Sequence, residues 1–410
     1  MAKRVLALAA AAGCLACFRS GVAEQAREGA ASRVEPLVLA PGTPGEPGAV
    51  RIAAIFPTLG RYAVSGRQSL NGARLAVEEA NRTGGIHGRS LELREYRTGS
   101  YFVDAGHAAR LAIAEGAVAI VGSNSSELSM AVAEEAEAHG VVQISNVSTA
   151  QDLTWDARSG RDRPFIFRVC SSDVVMGARL AEFARTELGA HRAAVLYEVG
   201  RTYSARLARA FVEVFRSEAA GRVAAEFFYL TLETDFRPQL RRVLGFRPDV
   251  LFVPGSFTDA TLVAAQASAL GLRAPMLGAD AWSSPLLFRR AAPPGGAFFV
   301  DHCFPPPSFE RWYREVFGEE THGCRAVLAH DAVRAIAAGL TALGRLGSED
   351  LQEGLPATRS RLRDAVARAR VPAATGLIRF DAHGDRQRGV ALYAVDRGGW
   401  PRPRGWLGEP

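Results

Sequence analysis

Residues 117–149 read AVAIVGSNSSELSMAVAEEAEAHGVVQISNVST. The apolar run from Ala117 to Val121 reads as a strand, Gly122–Ser126 as a loop of small residues, and the segment from Glu127 as a helix that Gly140 stops. The next strand, VVQIS, runs again into small hydroxylated residues, Ser148 and Thr149. Strand, loop, helix and strand in that order form the unit of a parallel sheet, where ligands sit beyond the carboxyl ends of strands. The unpaired N–H groups and partial positive charge of a helix's first turn suit the Gly122–Ser126 loop to an anion. It is not a P-loop, because no Lys-Ser/Thr follows the glycine. No Gly-x-Gly-x-x-Gly follows any predicted strand, and Gly-x-Ser-x-Gly is absent at this loop. The rival reading is that Ser126 or a neighbour caps its own helix. The second loop of the same kind favours binding, since two adjacent loops can direct several neutral donors at one small anion.

Outward from this stretch the alternation continues. VRIAAIF, SLELREY, VAIVG and VVQIS read as strands, with helical-period segments between them. After FIFRVCSSD a second series begins: the strands are RAAVLYE, VAAEFFY, DVLFVPG and APMLGAD, each separated from the next by a helix. Two such series predict an α/β chain of two doubly wound parallel-sheet lobes. Helical segments over residues 308–318 and 326–346 are expected to complete the first lobe, and the closing strands GLIRFD and VALYAVD the second. The expected boundaries are 50–170 with 302–350 for the N-terminal lobe, and 171–301 with 371–410 for the C-terminal lobe.

The N-terminal residues read MAKRVLALAAAAGCLACFRS: a basic start, a short apolar run and small residues before Cys14. Residues 1–17 are therefore expected to be a secretory signal with a lipobox. Cys14 is the lipidation candidate and Cys17 the alternative. The run is too short to span a bilayer. Residues 18–49 read as a Pro/Gly-rich flexible linker. The formal net charge is +6, yet Lys3 is the only lysine and the arginines are interleaved with acids, so no nucleic-acid footprint emerges. An exported chain permits disulfides, and Cys303 with Cys324 is the candidate pair. Free thiols, or a metal site with His302 and His322, are the alternatives. DAHGD, Asp381–Asp385, lacks the downstream glutamate of a calcium loop and reads as a turn.

Several stretches together resemble the periplasmic substrate-binding proteins of branched-chain amino-acid ABC transporters, the leucine/isoleucine/valine-binding type. They are IAAIFPTLGRYAVSGRQSLNGARLAVEEANRTGGIHGRSLEL, AIVGSNSSELSMAVAEEAEAHGVVQISNVSTAQDLT, YSARLARAFVEVF, LGADAWSSPLLF and GLIRFDAHGDRQRGVALYAVDRGGW. The resemblance runs from about Val50 to Arg397. It implies the type I periplasmic-binding-protein fold, two α/β lobes joined by three crossovers and closing on a ligand by hinge motion.

It also implies a site. Ser126 stands where the family binds the ligand's α-carboxylate, with Ser125 beside it. Ser148 and Thr149 stand at the next loop, Tyr203 at the second lobe's cleft, and Asp280 where the α-ammonium is received. Ser256 and Phe257 stand at an aromatic wall. Ser65 departs from a position that is often aromatic, a gap that Tyr62 or Arg61 could fill, and Ser256 is also smaller than some members show. A more polar or larger ligand than leucine is the expectation. The implied protein is a non-enzymatic, monomeric lipoprotein on the periplasmic or cell-surface side, passing an amino acid or similar solute to an ABC permease without a cofactor or metal. A ligand-sensing module of the same fold is the alternative. A hydrolase using Ser125 or Ser126 is disfavoured, because no histidine lies in a predicted strand-end loop beside that serine.

Overall fold

The computed structural model describes residues 48–217, 221–284, 286–288, 293–347, 349–351 and 355–409. The proposed signal, Cys14 and nearly all of the linker lie outside the described residues.

The first sheet holds β1 (Val50–Pro57), β2 (Leu91–Thr98), β3 (Ala119–Val121), β4 (Val142–Ser145) and β5 (Ile166–Arg168), all parallel, in the order β2-β1-β3-β4-β5. Every residue of β3 and β4 is buried, as expected of inner strands covered on both faces. Helices α1 (Ala63–Arg82), α2 (Phe102–Ala114) and α3 (Ser126–Ala138) provide that cover. Apolar side chains pack on each side of the sheet, Leu70, Leu75 and Ile144 on one and Ile55, Ile120 and Val132 on the other.

The second lobe starts with α4 (Asp173–Thr186). It continues through β6 (Arg192–Glu198), α5 (Thr202–Ser217), β7 (Arg222–Tyr229), α6 (Arg237–Phe246), β8 (Val250–Phe252) and α7 (Phe257–Ala269) to β9 (Met276–Gly278) and β10 (Ala297–Asp301). The chain then returns to the first lobe as α8 (Pro307–Phe317), α9 (Arg325–Ala342) and α10 (Leu355–Arg368). It ends in the second sheet as β11 (Val390–Val395) and β12 (Pro401–Leu407), which join antiparallel to give the order β12-β11-β10-β9-β8-β6-β7. The sheets are thus connected at residues 169–172, 302–306 and 380–389.

Two features differ from the sequence reading. Helix α10 lies in a stretch where the sequence pattern predicts no helix. Its buried face is narrow, Thr358, Arg359, Leu362 and Val366, in a segment rich in arginine. Arg359 is one reason the segment docks: its buried guanidinium donates to the carbonyls of Ala117 (2.7 Å) and Ile113 (3.2 Å), between the end of α2 and the start of β3. The second difference concerns GLIRFD. Gly376–Arg379 pairs with Arg370–Ala373 in a hairpin, and Val371, Ile378 and Phe380 bury in the first lobe's core. The second-sheet part of the C-terminal segment therefore begins at Val390, not at residue 371.

Cys303, in the second crossing, is bonded to Cys324 at the start of α9, with an S–S distance of 2.08 Å and Cα atoms 5.9 Å apart. Among the described residues no group of His, Cys, Asp and Glu is placed to hold a metal ion. The DAHGD turn instead braces the third crossing. Asp381 accepts the N–H groups of His383 and Asp385, and Asp385 accepts Arg168 Nε (2.6 Å) and Nη2 (2.9 Å).

Candidate ligand-binding crevice

In a parallel sheet all carboxyl ends fall on one edge. The loops after β3 and β4 are therefore neighbours on the first lobe, and those after β6, β8 and β9 on the second. Gly122 makes the first of these turns possible. Its φ is +133°, and a Cβ there would lie 2.2 Å from the Ile55 carbonyl oxygen. Ser125 is the N-cap of α3, its hydroxyl accepting the Leu128 N–H at 3.4 Å. Ser126 opens the helix itself, and its Oγ accepts the Ala150 N–H at 3.4 Å, which ties this loop to the next. There Thr149 is buried, and its hydroxyl has no partner within the protein. The fully buried guanidinium of Arg168 fixes this second loop, donating to the carbonyls of Thr149 and Ala150 at 2.8 Å each.

Opposite, Tyr203 stands in the first turn of α5 and donates its hydroxyl to Asp280 Oδ1 at 2.8 Å. Asp280 begins a short helical turn after β9. Burial pushes its carboxyl up, but the imidazole of His302, 3.6 Å from Oδ2, and the Tyr203 hydroxyl outweigh this and hold it below the ordinary carboxylate range. Burial, then Asp280, raises the Tyr203 phenol well above its usual value, so it remains a donor. Arg325, from the first residue of α9, reaches across to the carbonyls of Ser283 (3.0 Å) and Asp280 (3.3 Å).

The lobes meet directly beside these residues. The Thr202 N–H donates to Glu127 Oε1 at 3.0 Å, so a carboxylate of α3 caps the N-terminus of α5. Glu127 adjoins Ser126 and Thr202 adjoins Tyr203, which brings the Ser126 and Thr149 loops to the Tyr203–Asp280 pair. Arg206 pairs with Asp152 at 2.5 Å and Arg61 with Glu198 at 3.8 Å. The guanidinium of Arg201 lies 5.9 Å from the ring centroids of both Tyr62 and Tyr203, one from each lobe. Two grooves of about 360 and 590 Å³ on the flank of the first lobe, around α9, include none of these residues.

Three residues expected at the site have other work. The Ser148 hydroxyl is engaged with Ser129 Oγ (2.6 Å) and the Ser123 carbonyl (3.2 Å), inside the first lobe. Ser256 is the N-cap of α7 in a capping box, its hydroxyl donating to Asp259 Oδ2 at 2.8 Å and accepting the Asp259 N–H. Ser65 donates to the carbonyl of Tyr62. Phe257 is half-buried against the second lobe's own core, and Tyr62 reaches the crevice through Arg201.

A family model described as periplasmic binding protein matches residues 49–399. The chain belongs to the periplasmic binding protein family. Among curated relatives, the Leu/Ile/Val-binding protein BraC3 of Rhizobium johnstonii is 26% identical over 235 residues, 57% of this chain and 62% of that protein. The match thus spans less than two thirds of that relative's length. Among solved structures, a leucine binding protein from Thermotoga maritima superposes with a TM-score of 0.75 at 27% identity, covering 88% of this chain and 99% of that one. A solute binding protein of an ABC transporter from R. palustris, in complex with benzoate, gives 0.73 at 22% identity, with 88% and 97% covered. The fold of this periplasmic binding protein is accordingly type I, two lobes of parallel sheet joined by crossings.

The sequence reading does not mark Arg168, Arg201, Arg325 or Asn124, and it marks His302 only as a metal-ligand alternative. Arg201 and Asn124 lie within two residues of Tyr203 and Ser125 and are legible as polar groups in strand-end loops. His302 and Arg325 come from remote segments, and only the fold brings them to Asp280.

Proposed function

We propose that this periplasmic binding protein captures an amino acid or a similar small zwitterion in the crevice and passes it to an ABC-type permease, with no chemistry of its own. The observation that carries this is the pairing of unlike poles. Thr149 Oγ1 is buried and unpartnered beside the N-terminus of α3, while Asp280 is held ionised on the facing lobe. Hydroxyls and N–H groups at Ser126 and Thr149 would take the carboxylate, and Asp280 with Tyr203 the ammonium. A charge-assisted hydrogen bond there is about twice as strong as a neutral one. Binding both lobes at once favours the closed form. The names of the relatives, which bind leucine, isoleucine and valine, support an amino acid. Export and tethering through Cys14 complete the proposal; a Cys14→Ser variant should leave the membrane fraction.

The test is mass spectrometry of small molecules released from the purified protein, followed by a thermal-shift screen of amino acids. A bound solute should raise the melting temperature once its concentration exceeds Kd. Ser126→Ala and Asp280→Asn should each remove most of that shift. Unchanged shifts in both variants would reject the two poles.

A further inference from the structure

Beside the residues of the two poles stand further polar groups that a carboxylate and an ammonium would not use. Asn124, in the loop that presents Ser126, has both amide atoms, Oδ1 and Nδ2, buried with no partner in the protein. Next to it Ser123, wholly buried, has a hydroxyl without a partner. From the facing lobe, Arg201 enters between Tyr62 and Tyr203 with its Nε buried and unpartnered. Its other contacts are long, 3.4 Å to Glu198 Oε2 and 3.5 Å to Tyr62 Oη. Glu198 is meanwhile held by Thr231 Oγ1 at 2.6 Å. Buried polar groups in native proteins are nearly always satisfied, so a cluster of orphans flanking a binding cleft marks where ligand atoms go.

We infer that the crevice selects a zwitterion whose side chain carries an uncharged hydrogen-bonding group, an amide or hydroxyl, read by Asn124 and Arg201. This rests on the function proposed above. An amide is matched on both counts: it accepts from Arg201 Nε and Asn124 Nδ2 and donates to Asn124 Oδ1. A branched aliphatic side chain would leave these atoms buried and bare, the situation in which a polar site rejects an apolar analogue most strongly. An acidic side chain is disfavoured because the arginines around the crevice are already engaged. Arg61 and Arg201 share Glu198, at 3.8 and 3.4 Å, and Arg325 is turned onto the carbonyls of Ser283 and Asp280, so an added carboxylate would have to displace these contacts.

The experiment is calorimetry on the mature protein, freed of ligand by unfolding and refolding, with glutamine, asparagine, threonine, leucine, isoleucine, valine and glutamate. The expected result is that at least one of glutamine, asparagine and threonine binds tenfold or more tightly than every aliphatic member and than glutamate. Asn124→Leu should cut that preference at least tenfold with an unchanged circular dichroism spectrum. Leucine, isoleucine, valine or glutamate binding as tightly as the polar uncharged set overturns the inference and leaves the proposed function standing. An Asn124→Leu protein that folds and keeps the full preference overturns the role of Asn124. If that variant does not fold, the panel on the natural protein decides alone. No binding by any of the seven overturns the inference, and the proposed function is then decided by its own wider screen.

Discussion

Asp173 opens α4 immediately after the chain first leaves the N-terminal lobe, its N–H donating to the Thr149 carbonyl at 2.8 Å. Its carboxyl is buried, with Oδ2 unpartnered. Burial lifts its pKa from 3.8 to about 7, against the pull of Arg168 and Arg206. The folded protein therefore holds a proton between pH 4 and 7 that the unfolded chain releases. The group's contribution to stability is complete below about pH 4 and is lost as pH rises through 7. At pH 8 an ionised carboxylate remains buried. Asp173→Asn should be more stable than the natural protein at pH 8 by about 1–3 kcal/mol, on the scale of a pKa unit or two, with the gap closing toward pH 4. Urea denaturation at a series of pH values measures it; a gap independent of pH would mean that Asp173 titrates normally.

At the scale of elements, the Cys303–Cys324 bond ties the second crossing to the first turn of α9, closing a loop with a sequence separation of 21. Cys324→Ser should cost about 3 kcal/mol in the chain-entropy account. Reductant should lower the melting temperature of the natural protein and leave the variant's unchanged; equal responses would show that the bond adds nothing.

The elements also show how far the sequence was legible. The strand–loop–helix units of both sheets stand out because inner parallel strands are continuous apolar runs, as AIV of β3 and VLF of β8 illustrate. The hairpin at residues 370–379 packs on the first lobe, not on the second as the sequence suggests, because a short antiparallel pair carries no sign of which core receives Ile378 and Phe380. Helix α10 gives little signal in the sequence because its apolar face is thin and its docking depends on Arg359. Within the site, Ser126 and Asp280 are visible as loop residues at strand ends, whereas capping by Ser256 and the turned-in hydroxyl of Ser148 are matters of rotamer and neighbour that one chain of letters does not carry.

Across the whole molecule, the two lobes are held against each other by contacts that do not depend on solute. Arg206 and Asp152 are the clearest, at 2.5 Å with side chains 39% and 13% exposed. A partly exposed pair of this kind is worth about 0.5–1 kcal/mol, equivalent to about a 2- to 5-fold bias toward the closed form. Such a bias holds whether or not solute is inside, and escape requires breaking the pair. Removing it should therefore raise the dissociation rate and should not slow association, which needs the lobes apart. Arg206→Ala, Asp152→Ala and the double variant, compared by stopped-flow chase of bound solute, should each release it about 2- to 5-fold faster, with the double no faster than the singles. Added salt should narrow the difference, since the pair is open to solvent on the arginine side. Singles that multiply in the double variant would place the two residues in separate roles, and dissociation unchanged in all three would show that closure is set by the solute alone.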